Sequence, residues 1–128
     1  MTSRSVVDLR EDVVKRGPCA IVAYARRLHG NRPAKDYIEN LQKQDQATLA
    51  RSFKQLVDTG KIINEQKFKK LREKIWEFKT YSGIRVLCFQ QGKSWLLTHG
   101  FKKQSGKTPP RQIERAEVIR NEHLSLLS

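Results

Sequence analysis

No stretch of this sequence is apolar for long enough to span a bilayer, and no segment joins its charge to a long apolar helical face. A membrane partner is therefore not expected. Cysteine is scarce as well: Cys19 and Cys88 stand far apart, without the CxxC or close Cys/His spacing of a redox motif or zinc site. Both sit in apolar stretches and are expected to be buried free thiols. No metal and no cofactor is called for, and no internal repeat is visible. At the N-terminus Arg4, Asp8, Arg10, Glu11 and Asp12 interrupt the apolar residues before a signal-peptide core can develop, so a cytoplasmic location is expected.

The remaining shortage is of acid. The 128 residues carry 13 Asp and Glu against 26 Lys and Arg, a formal charge of +13, and such an excess concentrates anions around the protein. Solubility alone would be served as well by acidic residues. The charge is also uneven, with twelve basic residues but only Glu65, Glu73 and Glu77 between Lys61 and Lys107. Nucleic acid is the leading partner. With 38% hydrophobic residues, the length suits one domain with a single core.

Along the chain, Val6, Leu9, Val13 and Val14 recur at helical spacing before Gly17-Pro18, so residues 1–18 read as an N-terminal extension able to form a short helix that packs on the domain. Residues 19–128 form the main domain. The apolar run Cys19 to Tyr24 predicts a buried strand. Pro33 suits a helix entry, with Ala34, Tyr37, Ile38 and Leu41 in one stripe. A second helix carries Leu49, Phe53, Leu56 and Val57 and ends at Gly60. The pattern then alternates. Trp76 and Phe78 should face one way, Glu77 and Lys79 the other. Turns at 81–83 and 91–93 separate strands at 84–90 and 94–103, giving an antiparallel meander. Thr108-Pro109-Pro110 can cap and open a last helix bearing Ile113, Ala116, Ile119 and Leu124. The expected fold is α+β: an antiparallel-rich sheet of about four strands, a helical hairpin packed on it and a C-terminal helix.

Antiparallel pairing can gather Glu77, Lys79, Arg85, His99, Lys102 and Lys103, with Lys107 just beyond. RNA is cut without metal when its own 2′-hydroxyl attacks the adjacent phosphate, given a base, cations for the phosphorane and an acid for the leaving oxygen. Glu, His, Arg and Lys can fill those roles. From spacing alone the plainer reading is favoured: Glu77 can simply pair with Lys79 or Arg85, and a histidine such as His99 is more often a hydrogen-bonded structural residue than a catalyst. Trp76, Phe78, Phe89, Trp95 and Phe101 read as core.

Three strings in order go further: Lys-Leu-Arg-Glu-Lys-Ile-Trp-Glu-Phe-Lys (70–79), Gly-Ile-Arg-Val-Leu-Cys-Phe (83–89) and Leu-Leu-Thr-His-Gly-Phe-Lys-Lys-Gln-Ser-Gly-Lys-Thr-Pro (96–109). Together they resemble successive strands of the RelE/HigB superfamily of type II toxins, and most closely its phage-derived HigB-like branch, over residues 19 to 124. The resemblance implies a compact RelE/ParE-like domain that cleaves mRNA, usually on the ribosome, and so inhibits translation. It also implies a cognate antitoxin, HigA-like with a helix-turn-helix. By the same resemblance Glu77, Lys79, Arg85, His99, Lys102 and Lys103 match functional positions; the first four are the catalytic candidates, and Lys102 and Lys103, with Lys74 and Lys107 added, the RNA-binding ones. Two departures stand out: Lys79 replaces a common arginine, losing its planar fork, and Cys88 replaces a common tyrosine. Alternatives within reach are a ParE-like inhibitor of DNA gyrase and a degenerate RNA-binding module without turnover.

Overall fold

Alternating residues at 76–79 and β-rich runs at 84–91 and 94–102 make the centre of a six-stranded sheet, seen in a computed structural model that describes residues 9–103 and 106–127. In chain order the elements are α1 (Leu9–Asp12), β1 (Val13–Arg16), β2 (Ile21–Tyr24), α2 (Pro33–Glu39), α3 (Lys43–Thr59), β3 (Phe68–Lys70), β4 (Trp76–Lys79), β5 (Ile84–Gln91), β6 (Ser94–Lys102) and α4 (Pro110–Leu126). The strand order is β1-β2-β6-β5-β4-β3, and every pairing is antiparallel except β2 with β6.

The sheet is covered on both faces. On one, the hairpin of α2 and α3 buries Ala34, Ile38, Leu49, Phe53, Leu56 and Val57 against Val22, Phe78, Val86, Cys88 and Leu97. On the other, α4 lays Ile113, Ala116 and Ile119 on Ala23, Leu87, Phe89 and Leu96. The helix stripes read from the sequence are the faces actually buried, because apolar residues three and four apart share one side of a helix. Gly60 ends α3 in the left-handed conformation, as expected of a C-terminal glycine.

Several expectations are corrected. The sheet has six strands rather than about four, β1 and β3 being short edge strands that carry lysine or arginine. Helical spacing at the N-terminus holds only for Leu9–Asp12; Val13 and Val14 belong to β1, where pairing with β2 outweighs local periodicity. Val6 lies outside the described residues. Cys19 is exposed beside the end of α3, whereas Cys88 is buried, and burial pushes its thiol up. Thr108 does not cap α4: Pro109 holds the cap position without a side-chain bond, and the Thr108 hydroxyl is used elsewhere.

One irregularity decides what the sheet presents. Leu87 pairs with His99 but Cys88 pairs with Leu97, so Thr98 is an extra residue in β6, its hydroxyl donating to the Leu87 carbonyl at 3.2 Å. Strict alternation from Leu97 would turn His99 and Phe101 toward α2 and α3 and Lys102 toward α4. The bulge reverses all three. Gly100 is thereby set against the Tyr37 ring, so close that any Cβ would collide with it.

Candidate nucleic-acid cleft

The face that carries α4 is not fully covered by it. At the N-terminal end of the helix two rows of side chains cross the sheet, passing from under α4 into the open: Lys69, Glu77, Leu87 and His99 from β3 to β6, and Lys79, Arg85 and Phe101 beside them. Strand pairing makes each row one-sided. Glu77 is 3% exposed, and its Oε1 accepts a hydrogen bond of 2.5 Å from the Thr108 hydroxyl in the loop before α4. Arg85 Nε lies 3.9 Å from the same oxygen, and its guanidinium also donates to the carbonyls of Thr80 and Ile84 at 3.4 and 3.2 Å. A carboxylate and a guanidinium buried this deeply need such partners to offset lost hydration.

Glu77 and Thr108 line a cleft of about 460 Å³ whose apolar lining is Leu71 and Ile113. Lys69, Lys70, Lys79 and Lys107 surround it. Four lysines about one carboxylate leave a net positive hollow that suits an anionic phosphodiester better than a neutral or cationic ligand.

The sequence candidates therefore divide. Glu77, Lys79 and Lys107 line the cleft, and Arg85 adjoins it through Glu77. The Lys103 ammonium lies close to Gly106, at the cleft's edge. Lys102 pairs with Ile84, whose side chain is in the core under α2 and α3, so it lies on the opposite face from Arg85. Lys74 is exposed in the β3–β4 connection, at the end of β4 away from Lys79. Sequence reasoning missed Lys69 and Lys70, because β3 was not recognised, and Thr108, whose position before two prolines suggested a cap.

His99 shares the face but not the cleft. It is 2% exposed; Nε2 is 2.9 Å from Gln112 Oε1 in α4 and Nδ1 is 3.2 Å from the Thr98 hydroxyl, with Phe101 stacked on its ring. Burial pushes the imidazole from 6.5 to about 4; the Gln112 hydrogen bond opposes this, and Arg115 and Arg27 reinforce it. At neutral pH the ring is uncharged.

Comparison with known proteins matches residues 36–121 to the family described as Phage derived protein Gp49-like (DUF891). This chain belongs to the Gp49-like family. The matched segment runs from α2 into α4 and takes in every cleft residue named above. Gp49-like proteins are of the RelE/HigB toxin type, which makes the toxin of a toxin–antitoxin pair the general class and an antitoxin the general partner. No curated protein matches the chain. Among the described residues, no helix is long and apolar enough to cross a membrane.

Proposed function

We propose that this Gp49-like protein is an endoribonuclease that cuts mRNA on the ribosome, acts in the cytoplasm and is silenced by a HigA-like antitoxin. The observation that carries the reading is a buried carboxylate, Glu77, that lines a lysine-ringed cleft and lies 3.9 Å from the Arg85 guanidinium. In this reading Arg85 and Lys79 hold the scissile phosphate, while Lys69, Lys70 and Lys107 hold its neighbours. Glu77 takes the proton of the 2′-hydroxyl; the 2′-oxygen bonds to phosphorus as the bond to the 5′-oxygen breaks. The leaving 5′-oxygen takes a proton from water as Glu77 gives up its own to solvent, and the products are a 2′,3′-cyclic phosphate and a 5′-hydroxyl.

Geometry favours Glu77 over His99 as the proton acceptor. Leu87 stands between them on β5, so they are two strand spacings apart, about 10 Å. His99 fits better as a positioning residue, joining β6 to α4 and supporting Phe101. A shallow cleft with one modest base leaves much of the rate to positioning, which the ribosome supplies by presenting a bent, held mRNA. Cleavage of free RNA should accordingly be slow.

Transcript 5′ ends mapped after brief induction of wild type and Arg85→Ala test the reading, with circular dichroism reporting that the variant folds. New ends inside reading frames, lost in a folded Arg85→Ala, are the expected result. Growth arrest accompanied by DNA damage and no new transcript ends would replace it with gyrase inhibition. RNA retained on the protein without any cut products would leave a binding module.

A further inference from the structure

Lys79 belongs to two clefts. Besides the lysine-ringed one, it lines a second of about 520 Å³ between α3 and the edge formed by the β3 approach and the β4–β5 turn. That volume falls within the roughly 300–1,000 Å³ that small-molecule sites occupy. The contents of this side cleft are unlike those of its neighbour. The side-chain amides of Gln44, Gln55 and Gln66 line it and make no hydrogen bond among the described residues; only main-chain atoms of these residues are engaged. Arg51 and Lys67 add charge, Lys67 lying directly across from Lys79, whose N–H donates to its carbonyl at 2.9 Å.

Tyr81 completes the arrangement. It is 95% exposed, the most exposed large apolar side chain among the described residues, and sits on a turn with little freedom. Thr80 and Ser82 hydroxyls are 2.9 Å apart, Ser82 donates to Asp45 of α3 at 2.6 Å, and the Gly83 carbonyl accepts from the Lys103 N–H at 2.8 Å. An aromatic face held out to water on a fixed turn beside cations is a stacking platform. Asp45 of α3, the carboxylate that meets the turn, is occupied by Ser82.

We propose that this side cleft takes a single-stranded RNA nucleotide adjoining the scissile phosphate and reads its base. Single-stranded RNA is recognised by stacking on aromatic rings and by hydrogen bonds to splayed base edges. Amides carry both donor and acceptor, which is what a base edge demands. Lys79, common to both clefts, keeps the two phosphates in register. A docking protein helix would ask for an apolar floor, whereas the lining side chains here are amides, hydroxyls, cations and one tyrosine. The proposal deepens the nuclease reading and rests on it for the word scissile, but the binding of RNA here can be tested alone.

Two measurements decide it. First, uncuttable 2′-O-methyl hexanucleotides with 4-thiouridine at each position in turn are photo-crosslinked to the full chain. Adducts at Tyr81 or on residues 44–55 support the side cleft, whereas adducts confined to residues 69–79 and 106–113, or none, overturn it. Second, transcript ends are mapped for the double variant Gln44→Ala, Gln55→Ala, both exposed positions on α3. Cleavage should persist while the preference for one base beside the cut falls about tenfold, as loss of a good base-edge contact implies. An unchanged preference would remove the reading role and leave the nuclease standing. If wild type itself makes no cuts, the nuclease reading falls and the crosslinks alone report whether RNA enters the side cleft.

Discussion

His99 illustrates how one residue can belong to a functional motif by sequence and to the core by structure. Its folded value of about 4 lies below the unfolded 6.5, so between those values the unfolded chain takes up a proton that the folded chain refuses. Stability contributed by the neutral ring is intact above pH 6.5 and is lost as pH falls toward 4, by on the order of 3 kcal/mol at most. His123, also lowered by burial, acts in the same direction. Urea midpoints of wild type should therefore fall steeply across this window, and those of His99→Gln less so, with the His123 slope retained. Equal slopes would show that His99 titrates normally and is open to solvent. The outcome bears on function, since a ring that refuses protons at neutral pH is a poor general acid.

Among the elements, α3 and the meander were legible because each carries its own signal: one apolar stripe, or alternation bounded by turns at 81–83 and 91–93. The edge strands were not. Phe68-Lys69-Lys70 and Val13–Arg16 are too short and too charged to show a period, and they exist because β4 and β2 offer them a partner. Losing β3 from view concealed Lys69 and Lys70, and the bulge at Thr98 concealed which face Lys102 would take. The N-terminal segment shows the same dependence on distant partners. Asp12 is completely buried and accepts from Arg26 at 2.7 and 3.2 Å and from Arg32 at 2.7 Å, while Arg27 forks onto Glu122 of α4 at 2.9 Å twice. Asp12→Ala leaves two guanidiniums facing one another without their carboxylate. Both are partly exposed and can turn to water, so the cost should be about 2–3 kcal/mol, below that of breaking a fully buried pair. Glu11→Ala, removing a largely exposed partner of Arg26, should cost under about 0.5 kcal/mol. Chemical denaturation of the two variants separates a locked N-terminal element from a loosely attached one.

For the molecule as a whole the governing quantity is the excess of 13 positive charges, which both recruits RNA and makes the folded chain repel itself. An overall field and a local cleft differ in how they respond to salt. Each single-strand phosphate neutralised by a lysine or arginine contributes about −0.7 to the slope of log affinity against log salt concentration. If Lys69, Lys70, Lys79 and Lys107 each meet one phosphate, the slope for a short uncuttable RNA should be about −3, and each single change to alanine should make it shallower by about 0.7. Lys54, paired with Asp58 on α3 and lying outside both clefts, should change nothing when replaced. Fluorescence anisotropy at several salt concentrations measures this directly. Were Lys54→Ala to flatten the slope as much as Lys107→Ala, RNA would be responding to the net charge of the whole surface. The cleft beside Glu77 and Arg85 would then have no special claim on the phosphate it is held to cut.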